Sequence, residues 1–224
     1  MSWSSESDDE PTLRLVNPPS DAADAARAGA APARDGGAAE AAIRQFLGAL
    51  GRDLADPNLT DTPRRVVQAF DELLSRAPLD LTTFPNDEGY GELVLVRDIP
   101  FVSLCAHHLL PFRGTVQVGY LPTDRLLGLS KLARVVAHFA HDLQLQERLT
   151  VQIADFLQDA LDARGVGVVI EAEHLCMSIR GVQAGGAVTR TSRFTGALAS
   201  TGPAQFAGPA HFAGPAQFAG TRAI

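Results

Sequence analysis

Periodic apolar patterning in this 224-residue chain is confined to its middle, and that confinement limits what can fold more than any other feature. Residues 1–39 are rich in Ala, Asp, Ser, Pro and Gly, with stretches such as Asn17-Pro18-Pro19-Ser20 and Arg34-Asp35-Gly36-Gly37, and little periodic apolar pattern. They read as a disordered leader. Near the other end a six-residue unit recurs three times, as Gly202-Pro203-Ala204-Gln205-Phe206-Ala207 and then from Gly208 and from Gly214. Three short copies, each with Pro and Gly, cannot build a solenoid core. Residues 199–224 therefore read as a flexible low-complexity tail, with Phe206, Phe212 and Phe218 as points that could dock on a partner. The folded domain is left as residues 40–198.

Inside it, Ile43, Phe46, Leu47, Leu50 and Leu54 recur at helical spacing. Asp61-Thr62-Pro63 supplies a cap and then a proline at the first helical position, and Val66, Val67, Phe70, Leu73 and Leu74 continue a second amphipathic helix. Strand-like runs follow at 92–98 and 114–121; in the latter Val116, Val118 and Tyr120 alternate with Thr115, Gln117 and Gly119. A helix is predicted from Ser130, with Leu132, Val135, Val136, Phe139 and Leu143 on one face. Another carries Leu149, Ile153, Phe156, Leu157, Ala160 and Leu161 and ends at an Arg164-Gly165 stop. The run 166–172 reads as a buried strand. This order predicts an α+β domain with helices on one face of a mainly antiparallel sheet.

Charge narrows the function classes. Lys+Arg 19 against Asp+Glu 26 gives 19 − 26 = −7, which argues against a general nucleic-acid or anionic-membrane binder. No apolar run is long enough for a transmembrane helix, and the acidic N-terminus lacks the basic and apolar regions of a signal peptide, so a cytoplasmic location is expected. In a reducing compartment Cys105 and Cys176, the two cysteines of the chain, are not expected to pair.

Both cysteines have histidine neighbours. The first cluster is Ser103-Leu104-Cys105-Ala106-His107-His108-Leu109; the second is His174-Leu175-Cys176, just past the buried strand. A thiolate and an imidazole three apart can reach one ion if the backbone turns between them, and this is a ligand set zinc prefers. Two cysteines and one histidine would leave a fourth position open for water. The other readings are a Cys–His nucleophile pair, and two buried apolar cysteines with incidental histidines. On the helix after Gly128, Lys131, Arg134, His138 and His141 form one polar face. A basic first turn suits a bound anion, which makes Lys131 and Arg134 a phosphate-site candidate; an ordinary solvated face is the alternative. Lys131 is the one lysine of the chain, beside eighteen arginines. Gln144-Leu145-Gln146-Glu147-Arg148 puts an amide and a carboxylate side by side, as a purine-edge reader or a surface turn.

Taken in order, Thr62-Pro63-Arg64-Arg65-Val66, the Cys105 cluster, Gly128-Leu129-Ser130-Lys131-Leu132-Ala133-Arg134, the run from Gln144 to Thr150, and the run from Glu171 to Gly181 resemble the GTP cyclohydrolase I family over about residues 40–198. The resemblance implies a tunnelling fold (T-fold): an antiparallel sheet with a helix pair, joined through sheet edges into a pentameric ring, two of which stack as a homodecamer with active sites between subunits. It implies conversion of GTP and water to formate and 7,8-dihydroneopterin triphosphate, the entry to folate-type pterins. By position, Cys105, His108 and Cys176 match zinc ligands, and His107 and His174 match the catalytic histidines. Gln146 and Glu147 match guanine readers, and Arg65, Ser130, Lys131, Arg134 and Arg180 match the triphosphate clamp.

Two positions depart from the family pattern. Ala106 stands where a Glu is usual, and Gln68 where a Lys is usual on the early helix. Lost charge at either site is expected to reduce turnover or shift substrate preference. The contrasting expectation is a paralogue of the same fold with lost or redirected activity, such as a non-catalytic assembly partner or a member of a specialised deazapurine pathway.

Overall fold

The computed structural model of the chain describes residues 33–207 and the backbone of Thr12–Leu13. In order the elements are β1 (Thr12–Leu13), α1 (Gly36–Ala49), α2 (Thr62–Leu74), β2 (Leu81–Pro85), β3 (Val94–Cys105), β4 (Pro111–Leu121), β5 (Arg125–Leu127) and α3 (Leu129–Ala140). They continue with β6 (Leu143–Gln144), α4 (Gln146–Leu161), β7 (Gly165–His174), α5 (Leu175–Ser178), β8 (Thr189–Phe194) and α6 (Leu198–Gln205).

Five strands make the main sheet in the order β6-β3-β4-β7-β8, antiparallel except where the two-residue β6 runs alongside β3. β3 extends well past the expected 92–98. Its register slips between Val96 and Ile99, with Asp98 at φ 57°, and pairing then resumes toward Cys105. β4 and β7 pair from Phe112↔His174 to Leu121↔Gly165. Side chains alternate across a strand, so Val116, Val118 and Tyr120 of β4 and Val166, Val168, Ile170 and Ala172 of β7 share one face. That face packs with Leu132, Val135 and Val136 of α3 and Leu149, Ile153 and Leu157 of α4, as expected for an α+β domain.

The opposite face corrects the sequence reading. Leu198 and Phe206 pack there with Val169, Leu93, Leu95, Leu121 and Phe194. Phe206 is 1% exposed. Its ring lies over Gly119 and Gly167, which face each other in register. A Cβ at these positions would come within 2.9 Å and 2.6 Å of the ring, closer than packed carbons approach, so both must be glycine for the ring to sit. Residues 199–205 thus continue α6 and Phe206 sits in the core, where a flexible tail was expected. Phe212, Phe218 and the other residues after 207 lie outside the described residues.

Two smaller corrections concern helix ends. Asp35 accepts a hydrogen bond from the Ala38 N–H at 2.9 Å, so Gly36–Ala39, read as leader, form the first turn of α1. The rest of the expected leader, apart from residues 12–13 and 33–35, is outside the described residues. α4 stops at Asp162, in the left-handed region at φ 44°, and not at Gly165, which opens β7 instead. A Cβ there would lie 2.8 Å from the Thr195 carbonyl oxygen.

α1 and α2 pack on each other. No side chain of α1 is buried, and Pro63 is the one buried residue of α2. A groove of about 680 Å³ runs between them, walled by Ile43, Val66, Val67 and Phe70, with Leu109 also lining it.

Candidate active site

The site is assembled where β3, β4 and β7 meet. β3 delivers Cys105 as its last residue, and the chain turns back through Ala106, His107 and His108. The Leu109 N–H donates to the Cys105 carbonyl at 2.9 Å, and the Cys105 N–H donates to the Leu110 carbonyl at 2.9 Å, which closes the turn before β4 begins. Leu109 adopts φ 54° to make that turn. The pairing of Phe112 with His174 carries the end of β7 to the same corner, and α5 then presents Cys176.

The turn gathers the Cys105 sulfur and one ring nitrogen each of His107 and His108 within 4.8 Å of one another. Cys105 Sγ lies 3.7 Å from His108 Nδ1. Sulfur and nitrogen bound tetrahedrally at about 2.3 and 2.1 Å from one zinc would be roughly 3.5 Å apart, so this spacing fits such an ion. Cys176 is not part of that trio and joins it through Cys105. Burial, then the charge and hydrogen bond of Cys105, push the Cys176 thiol up, while Arg180 acts in the opposite sense. A buried thiol whose ionisation is opposed by a second sulfur in the same corner is a donor that a bound cation relieves.

His174 stacks flat on Phe112, with ring centres 4.7 Å apart and planes 1° from parallel. Its Nε2 is 2.7 Å from Gln146 Oε1. Burial pulls its pKa below the ordinary histidine value, partly countered by the Glu147 carboxylate, so the neutral ring is favoured near neutral pH.

Two placements differ from expectation. Gln146 is 2% exposed, and both ends of its amide are engaged inside the subunit, so it presents no edge to a ligand. Glu147, the next residue, is exposed. His138 does not extend the polar face of α3. It is buried, and its Nδ1–H donates to the Ala77 carbonyl at 2.8 Å, because α3 turns this position toward the segment before β2.

The expected cations stand on separate segments: Arg65 on α2, Lys131 and Arg134 on α3, and Arg180 after α5. Arg65 is exposed and 3.5 Å from Asp61 Oδ2. Lys131 is half-buried in the first turn of α3, and Ser130 and Arg134 are exposed. At the two departures, Ala106 donates its N–H to the Gln144 carbonyl at 3.0 Å, and Gln68 accepts from Arg64 at 3.3 Å. Sequence reasoning missed Phe112, Thr150 and Thr191 as supports of the site, since their roles depend on strand pairing.

Fold and corner define an α+β protein whose sheet end carries a Cys/His site of the metal-binding type. The sequence profile described as GTP cyclohydrolase I matches residues 39–206. Among curated relatives, GTP cyclohydrolase 1 of Aquifex aeolicus is 51% identical over 69% of this chain and 84% of its own length. The enzymes of that name from Streptomyces griseus and Allorhizobium ampelinum are 50% and 48% identical, over 71% and 75% of this chain and 82% and 86% of their own lengths. The chain belongs to the GTP cyclohydrolase I family. The profile ends at Phe206, the residue that plugs the glycine-floored slot.

Proposed function

We propose that the chain is a zinc-dependent GTP cyclohydrolase I, which converts GTP and water to formate and 7,8-dihydroneopterin triphosphate. The observation that carries this reading is the turn that holds Cys105 and His108 at 3.7 Å with His107 beside them. Cys105, His108 and Cys176 hold the ion, which when bound supplies Lewis-acid activation of water near neutral pH.

The remaining steps fall to the side chains. His107 adjoins the ligands and is exposed, so it is placed to protonate the imidazole nitrogen of guanine as that ring opens. His174, held neutral and flat against Phe112, exchanges a proton in the later rearrangement at the ribose. The Glu147 carboxylate accepts hydrogen bonds from the guanine ring N–H and amino group. Lys131, Arg134 and Arg180, with Ser130 and Arg65, bind the triphosphate, and the N-terminus of α3 adds its partial positive charge. At Lys131 a compact ammonium and a planar guanidinium are not equivalent, so Lys131→Arg should raise the KM for GTP.

A homodecamer of two stacked pentamers, with each pocket between subunits, accounts for the uncovered faces of α1 and α2. Among the described residues no helix is long and apolar enough to cross a membrane. The cytoplasmic location rests instead on the proposed use of GTP as substrate. Ala106 and Gln68 are expected to lower turnover without abolishing it. Formate release from GTP by the zinc-loaded oligomer is the test, and its absence overturns the assignment. Cys176→Ser should lose both zinc and activity, whereas His174→Ala should lose activity and keep zinc.

A further inference from the structure

Gln146, the first residue of α4, has an amide whose two ends can be told apart by what surrounds them. Its Nε2 lies 3.1 Å from the Ile170 carbonyl oxygen, 3.0 Å from the Thr189 carbonyl oxygen and 3.1 Å from Thr191 Oγ1. Main-chain carbonyls only accept, so the NH₂ end belongs there. Turned around, the amide would set its oxygen against two carbonyl oxygens in a buried site. Thr191 Oγ1 is 2.7 Å from Thr150 Oγ1, and Thr150 Oγ1 donates to the Gln146 carbonyl at 2.7 Å. Thr150 gives its one hydroxyl hydrogen to the Gln146 main-chain carbonyl, so the Thr191 hydroxyl donates to Thr150, and the two hydrogens of the Gln146 NH₂ are shared among the Ile170 and Thr189 carbonyls and Thr191 Oγ1.

With the NH₂ end committed, Oε1 is left facing His174 Nε2 at 2.7 Å. An amide oxygen cannot donate, so the hydrogen in this contact sits on the histidine. We propose that Gln146 is a positioning residue that locks His174 in its Nε2–H tautomer, leaving Nδ1 as the nitrogen that exchanges a proton with the substrate. The parallel stack on Phe112 fixes the ring plane, and the hydrogen bond to Gln146 fixes its rotation within that plane. This rests on the reading of His174 as a catalytic residue.

The test begins with the unmodified, zinc-loaded oligomer labelled with ¹⁵N-histidine, in mildly alkaline buffer where the ring is neutral, with the His174 signals assigned by their absence in His174→Asn. A protonated, pyrrole-type Nε2 and an unprotonated, pyridine-type Nδ1 are expected. The opposite tautomer, or an even mixture, overturns the proposal without any variant having to fold. Gln146→Leu should then mix the tautomers and lower kcat by about 10- to 100-fold, with the KM for GTP little changed. A raised KM with kcat preserved would return Gln146 to guanine reading and also overturn the proposal. Normal formate release with the wrong tautomer sinks the positioning role alone. No formate release with the right tautomer sinks the reaction assignment, and the catalytic meaning of the tautomer with it.

Discussion

Helices α1 and α4 look alike as sequence patterns, yet they differ in what they bury. Leu149, Ile153 and Leu157 of α4 are each 0% exposed, whereas α1 buries no side chain and leaves Phe46, and Leu50 just past its end, each 57% exposed. The difference lies in the partner. α4 lies on β7 and β8 of a five-stranded sheet, and α1 has α2, itself nearly unburied. Full burial of a large apolar side chain contributes about 1.5–3 kcal/mol, so the sheet-and-helix body stabilises itself within one chain and the N-terminal hairpin does not. Under the proposed ring assembly, neighbouring subunits supply what the hairpin lacks.

Substitutions can break or sharpen this contrast. The largest effect is expected for Phe206→Ala, which empties the slot over Gly119 and Gly167 and should cost about 3–5 kcal/mol in denaturant unfolding. A loss below about 1 kcal/mol, the scale of a surface change, would show that α6 does not belong to the body. Ile153→Ala in α4 should cost about 2–5 kcal/mol, with zinc content unchanged in folded protein.

A smaller and pH-dependent effect is expected at His138. Burial holds its pKa below the ordinary value, and the positive charge of Arg76 and the nearby His141 add to this. The unfolded chain then takes up a proton that the folded chain refuses. Its destabilising effect is absent well above pH about 6.5 and grows, by up to about 1.4 kcal/mol per pH unit, as pH falls from there to the lowered folded-state value, below which it stays constant. His138→Gln should flatten that limb of a stability–pH curve, and an unchanged slope would remove His138 from the account.

The smallest change in chain stability is expected for Phe46→Ala in the hairpin, within about 0.5 kcal/mol. Its readout is assembly: sedimentation should show a shift toward smaller species. If Phe46→Ala instead unfolds the chain as Ile153→Ala does, the two regions are not different in kind.

Much of the body was legible because its signals are local. The alternation from Val116 to Tyr120 and the apolar stripe from Leu149 to Leu161 each report a period that the backbone alone sets. The Cys105 turn was legible for the same reason, since Cys105 and His108 are close in sequence and the turn between them is short. Gln146 was misread because its neighbour Glu147 is exposed, and only the β7–β8 pairing brings Ile170, Thr189 and Thr191 around its amide. His138 was misread because helical spacing places it with Lys131 and Arg134, while the Ala77 carbonyl that receives it is 61 residues away.

The sequence by itself determined the order of the four long helices and the three long strands, the sign of the charge and the two Cys/His clusters, all of which follow from residue type and short-range spacing. The tertiary structure decided that Phe206 is a core residue, that Gln146 faces inward to His174, and that α1 remains uncovered. Each of these depends on surfaces that meet only when distant strands pair. A proline- and glycine-bearing repeat can hide a buried aromatic because the slot that receives it is built from residues some 40 to 90 positions away.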